Sequence, residues 1–172
     1  MSFFSSGKKK NKNEETVEET LLAEYDRYYR LAYSYVGNPD DAADIVQEGA
    51  YQAIRHCDTL QNISYVNTWI YRIMLNEIFA FCRKSKREVL PMEEAPEQGK
   101  DDTYEDVDLM QALEQLDDKD RAVIVLRYFE EYKLGEIADI LEENVSTVKS
   151  RLYRGIRKLR LHMDNEWIWE ED

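Results

Sequence analysis

The chain is poor in the residues that punctuate a backbone. Its 172 residues include only 6 glycines and 3 prolines. That is too few for the many tight turns of an all-β protein, so an all-α fold is expected. Cysteine is scarcer still. Cys57 and Cys82 stand far apart with no CxxC spacing, which leaves no disulfide framework and no zinc site. The two histidines, His56 and His162, have no partner at ligand spacing, so no metal is expected. No P-loop, GxSxG or paired-carboxylate motif occurs, and neither an enzyme nor a cofactor is expected. No apolar run approaches the roughly 18 residues of a membrane span. The opening MSFFSSGKKKNKN lacks the apolar core of a signal peptide. The expectation is a soluble protein of a reducing, cytoplasmic compartment.

Charge is what the chain has in quantity. Asp and Glu number 36 against 23 Lys and Arg, for a net charge of −13. The balance is uneven along the sequence. VSTVKSRLYRGIRKLR, residues 145–160, carries Lys149, Arg151, Arg154, Arg157, Lys158 and Arg160 and no acid. A second basic stretch, RKSKR, ends near Arg87, and the first 13 residues are basic. Nearly everything between is acidic. A nucleic-acid binder that works alone usually has an overall basic domain. Here the surrounding acid repels phosphate, so the free chain is expected to bind DNA poorly.

The segment VLPMEEAPEQGKDDT holds two of the three prolines and has no hydrophobic periodicity, which marks a flexible acidic linker. It divides the chain into two small helical units. In the first, EETVEETLLAEYDRYYRLAYSYV suits one long helix with Leu21, Tyr25, Tyr28 and Ala32 on one face. Gly37 ends it, and NPDD starts a second helix over about 40–56 with Pro39 in its first turn. That helix buries Ala42, Ile45, Val46, Ala50 and Ala53 or Ile54, and turns Asp41, Asp44 and Glu48 outward. Ser64 is the expected N-cap of a third helix, with Trp69, Ile70, Ile73, Ile78 and Phe81 inward. In the second unit, YEDVDLMQALEQL and DKDRAVIVLRYFEE read as helices, the latter capped by Asp117 or Asp118. LGEIADIL, the turn EEN, and a final helix over 145–163 follow. The final helix carries an apolar stripe of Val145, Val148, Leu152, Ile156, Leu159 and Met163.

LGEIADILEENVSTVKSRLYRGI fits a helix-turn-helix, with Ala138 as the small residue at the crossing. The second helix of such a unit enters the major groove by its N-terminal half. Ser146, Thr147, Lys149, Ser150 and Arg154 are then placed for base edges, and Arg151, Arg157 and Lys158 for phosphates. A solvated basic face on a plain helical hairpin is the alternative. On the third helix, Arg72, Asn76, Arg83 and Lys84 beside aromatic rings suit single-stranded DNA. Equally, cations there simply complement a helix C-terminus. Asp41, Asp44, Gln47 and Glu48 read as a wet face, or as a docking surface for a basic helix.

Taken together, YRLAYSYVGNPDDAADIVQE, TWIYRIMLNEIFAFCRK, LDDKDRAVIVLRYFEEYKLGEIADIL and STVKSRLYRGIRKLR resemble the extracytoplasmic-function sigma factors of the sigma-70 family, closest to sigma-V-like members. The resemblance covers roughly residues 20–162. It implies sigma domain 2 over 14–88 and sigma domain 4 over 105–163, joined by the linker over 89–104; a disordered basic tail over 1–13 and an acidic tail over 164–172 are read from the residues alone. It implies a factor that directs core RNA polymerase to stress-response promoters. Asp41, Asp44, Gln47 and Glu48 would meet the β′ clamp helices. Arg72, Asn76, Arg83 and Lys84 would act at the −10 element, with the loop over about 58–66 holding a flipped base. Lys149, Ser150, Tyr153 and Arg154 would read the −35 element, and domain 4 would also meet the β flap. A membrane-anchored anti-sigma factor is an implied partner, alongside promoter DNA. Glu142 and Glu143 depart from the Gly or Asn common in the turn. Two other classes stay open: a stand-alone helix-turn-helix regulator, although no dimerisation helix is evident, and a non-DNA helical adaptor whose basic stretches are only surface. The tail DNEWIWEED either folds back on Arg157, Lys158 and Arg160 or is a solubilising end.

Overall fold

A computed structural model describes residues 11–88 and 104–162. They form two compact units that divide between Ser85 and Lys86, helical throughout with no strand among the described residues. The all-α expectation holds. Residues 1–10 of the basic start, 89–103 of the linker and the acidic end, with Met163, Trp167 and Trp169, lie outside the described residues, while Asn11 to Asn13, placed in the basic tail by the sequence reading, cap and open the first helix.

The first unit opens with α1 (Lys12–Ala23) and α2 (Tyr25–Val36). The single long helix expected there is divided at Glu24, whose backbone (φ −109, ψ 11) leaves the helical region while its N–H still reaches Thr20 O at 2.9 Å. The change of direction leaves Leu21, Tyr28 and Ala32 buried but turns Tyr25 out, 40% exposed. Gly37 closes α2 in the left-handed conformation (φ 64), the place where a residue without Cβ is favoured. Asn38 then caps α3 (Pro39–Arg55) by accepting the Asp41 N–H at 3.0 Å. The buried side of α3 is the expected one: Ala42, Ile45, Val46, Ala50 and Ala53.

Two corrections concern α4 (Val66–Glu88). Ser64 is not its cap. Asn62 instead accepts both the Ser64 N–H (3.0 Å) and the Ser64 hydroxyl (2.8 Å), folding 63–65 into a tight turn that feeds the helix. The inward face is also rotated from the expected one. Ile70 and Ile78 are buried as anticipated, but Tyr71, Met74 and Leu75 share the core with them. Trp69, Ile73 and Phe81 are only half-buried. Tyr71 meets Tyr28 of α2 edge to face, with ring centres 5.2 Å apart.

The second unit holds α5 (Tyr104–Glu114), α6 (Asp118–Ile124), α7 (Leu134–Leu141) and α8 (Val145–His162). The helix expected through residue 131 is interrupted. Residues Val125–Phe129 widen into a π-turn, closed by the Glu130 N–H on Val125 O at 3.1 Å, and Glu131 (φ 59) then reverses the chain. Ala138 is buried as the small residue of α7. A second close approach falls at Gly155, where a Cβ would come within 3.0 Å of Ile124 Cγ1. On α8, Val148, Leu152 and Leu159 are buried, Ile156 is half-buried, and Val145 is exposed because it precedes the first packed turn.

Candidate nucleic-acid interface

The turn between α7 and α8 sets the direction of the basic helix. Glu142 is left-handed (φ 56, ψ 40) and donates its N–H back toward Ala138 O and Asp139 O. Asn144 then caps α8, accepting the Thr147 N–H at 2.8 Å and the Ser146 hydroxyl at 2.9 Å. With Val148 and Leu152 buried, the opposite side of α8 must face solvent. Ser146, Lys149, Ser150, Tyr153, Arg154 and Arg157 are exposed there, while Thr147 and Lys158 are half-buried. The Ser150 hydroxyl donates to Ser146 O at 3.1 Å.

Arg151 and Arg154 differ sharply in surroundings. The Arg151 side chain is 17% exposed, and its Nε and Nη2 donate to the two oxygens of Glu143 at 2.8 and 2.9 Å. Its Nη1 donates to Asp120 Oδ1 at 2.9 Å. All three nitrogens donate inside the unit, so Arg151 braces α8 against Glu143 and Asp120. Arg154 is 50% exposed and donates through Nε and Nη2 to Asp120 Oδ2 (2.6 Å) and Oδ1 (2.9 Å). The Asp120 carboxylate is 1% exposed. Burial alone would raise its pKa, but the hydrogen bonds from Arg154 and Arg151 outweigh that and hold it below the ordinary value. The Glu143 carboxyl is also lowered, chiefly by its hydrogen bonds from Arg151. No local pattern in the sequence announces this network. Asp120 lies 34 residues before Arg154 and looks like one acid among many.

In the first unit, Asp44, Gln47 and Glu48 are exposed along α3 and Asp41 is half-buried near its capped start. Gln52 Nε2 donates to Glu48 Oε1 at 2.9 Å. Glu77 of α4 is raised in pKa by partial burial and then by the charge of Glu48, which brings a further carboxylate to this acidic surface. Its signal in the sequence is an acid in the middle of a helix whose only other acid is the terminal Glu88. On either side of Glu77 along α4, Asn76, Arg83 and Lys84 are exposed and Arg72 is half-buried. The loop before α4 is tied to the start of α1: Asn13 Nδ2 donates to Cys57 O (3.0 Å) and Leu60 O (2.9 Å), and Asn11 Nδ2 donates to Asp58 Oδ1 (2.9 Å). Among the described residues no helix is long and apolar enough to cross a membrane, and no metal-ligand cluster occurs.

Two family descriptions match the chain: sigma-70 region 2 over residues 21–88, and sigma-70 region 4 over residues 106–159. The RNA polymerase sigma factor SigV of Bacillus subtilis is 39% identical over 162 residues, spanning 92% of this chain and 98% of its own. The ECF RNA polymerase sigma factor SigW of the same organism is 35% identical, spanning 78% of this chain and 82% of its own. Among solved structures, the sigma factor RpoE of Bartonella quintana, crystallised with the anti-sigma factor NepR, shares the fold with a TM-score of 0.71. It is 24% identical, over 87% of this chain and 98% of that one. A stand-alone regulator gives no reason for the region 2 match, and the two-part match disfavours it.

Proposed function

Since the chain belongs to the sigma-70 family, as an RNA polymerase sigma factor of the extracytoplasmic-function type, we propose that its two units divide promoter recognition between them. The α3 face of Asp41, Asp44, Gln47 and Glu48 docks on the β′ clamp helices of core polymerase. The α4 residues Arg72, Asn76, Arg83 and Lys84 act at a −10 element, and the loop held by Asn13 receives a base there. The α8 residues Ser146, Thr147, Lys149, Ser150, Tyr153 and Arg154 read a −35 element, with Arg157 and Lys158 on its phosphates. Residues 14–88 and 105–163 are the two working domains, and 89–104 lets them reach separated elements.

The observation that carries this reading is the two-sidedness of α8. Val148 and Leu152 are buried, and Lys149, Ser150, Tyr153 and half of Arg154 stand exposed opposite them. The net charge of −13 fits a factor that meets DNA only when polymerase supplies the remaining affinity. An anti-sigma factor is a further partner in this reading, as it is for the Bartonella relative. Attachment of that partner to the membrane would hold the chain at the cytoplasmic face.

Docking and reading are separable, and that is the test. Asp44→Arg sets like charge against the clamp, at a cost of several kcal/mol. It should lose core polymerase in a pull-down. Arg154→Ala should bind core normally and lose promoter-specific transcription, by about 1–3 kcal/mol of recognition. Normal core binding by Asp44→Arg, or loss of core binding by Arg154→Ala, refutes the assignment of faces.

A further inference from the structure

We propose that Asp120 orients Arg154 to read a guanine, which makes it a positioning residue for promoter specificity; this rests on the −35 reading of α8 given above. A guanidinium has distinct edges. The Asp120 carboxylate occupies the Nε/Nη2 edge of Arg154, at 2.6 and 2.9 Å. That leaves Nη1 and the outer N–H of Nη2 with no partner among the described residues, on a side chain that is 50% exposed. These two donors are parallel and point away from the carboxylate. Guanine offers two adjacent acceptors in the major groove, O6 and N7, which accept such a pair together. Adenine offers one acceptor beside a donor, so the same edge meets it poorly.

Asp120 is itself held still. Its carboxylate is 1% exposed, and its neighbours on α6, Ala122 and Val123, are fully buried. Its Oδ1 also accepts from Arg151 Nη1 at 2.9 Å, and Arg151 is clamped in turn by Glu143. The chain α6 to Asp120 to Arg154 therefore fixes the reader before DNA arrives, and the conformational entropy of ordering a long side chain is already lost in the free protein. An arginine that swings freely loses that entropy on every base alike and gains less from the right one. Asp120 touches no DNA in this arrangement.

The experiment uses the full chain with core polymerase and promoter fragments in which each −35 position is changed singly. The unaltered protein should discriminate at the Arg154 position by about 5- to 150-fold, the range of one bidentate pair. Arg154→Ala should erase that discrimination at one position. Asp120→Asn should erase most of it at the same position, with other positions unchanged within about twofold, and should add nothing in an Arg154→Ala background. Uniform weakening on all sequences by Asp120→Asn, or full retention of discrimination, overturns the proposal. If Arg154→Ala relaxes one position and Asp120→Asn does not, only the role of Asp120 falls. If no α8 variant, Lys149→Ala and Ser150→Ala included, relaxes any position, the reading of α8 falls with it. Should Asp120→Asn fail to fold, the Arg154 Nε–H resonance of the unaltered free chain decides. A single slowly exchanging signal supports the fixed guanidinium, and a rapidly averaging one overturns it.

Discussion

Gly49 of α3 packs so closely on Met74 of α4 that a Cβ at position 49 would fall on the Met74 sulfur. Met74 is 1% exposed, so the sulfur and methyl at the end of its side chain would have to shift within the core. A glycine inside a helix costs about 1 kcal/mol relative to alanine, so helix propensity is given up here for the approach of two helices.

Gly49→Ala is therefore expected to destabilise the first unit. Overpacking costs about 1–3 kcal/mol, which exceeds the gain in propensity of about 1 kcal/mol. Urea unfolding should show a net loss, largely recovered when Met74→Ala is added. The second glycine contact, Gly155 against Ile124, leaves more space, and Gly155→Ala should cost less.

Arg151 and Arg154 sit one turn apart and should behave oppositely. Arg151→Ala strips Glu143 of its bidentate partner and Asp120 of one bond, and should cost about 3 kcal/mol of stability as a broken, largely buried pair. Arg154→Ala removes a half-exposed partner and leaves Asp120 bonded to Arg151, so its cost should be under about 1 kcal/mol. Thermal unfolding of both variants measures the contrast. Similar losses would mean that the two arginines share one structural role.

Glu142 is left-handed without being glycine or asparagine. Glycine there would relieve steric strain but loosen the unfolded chain. Asparagine tolerates the conformation with less of that loss. Glu142→Asn should raise the stability of the second unit by about 0.5–1 kcal/mol, read as a rise in the denaturation midpoint.

Acid should weaken the second unit through two named groups. Asp120 and Glu143 have folded pKa values below their ordinary values of 3.8 and 4.5. Their contribution is complete above those ordinary values and is lost as pH falls through the lowered ones. Glu77 in the first unit has the opposite sign. Its raised pKa means the folded state binds the proton more tightly, so its contribution improves as pH falls through that raised value. Titrating unfolding from pH 7 to pH 2 should show acid loss in the second unit, and Asp120→Asn should flatten it.

The sequence was most legible where one residue type has a single physical use. Gly37, Asn38 and Pro39 end one helix and begin the next as their chemistry requires. The all-α class followed from the scarcity of glycine and proline, and the buried side of α3 from periodicity. Legibility failed where two local signals competed. Asn62 took the capping role from Ser64 because its longer amide reaches both groups of Ser64. The inward face of α4 was misjudged because Trp69 drew the wheel toward itself, when Tyr71 had Tyr28 as a partner. Contacts across the chain were not legible at all. Neither Gly49 beside Met74 nor Asp120 beside Arg154 leaves a local trace.

The tie between α1 and the loop before α4 bears on where this unit may be trimmed. The sigma-70 region 2 match begins at residue 21, yet Asn11 and Asn13 hold Asp58, Cys57 and Leu60, and Val17 is fully buried. A shortened chain starting at Leu21 would keep the whole of that region 2 match. It would leave the Cys57 and Leu60 carbonyls to water and open the core where Val17 sat. A first unit that folds is thus expected to need more than the region 2 match, and the extra length works on residues more than 40 positions away.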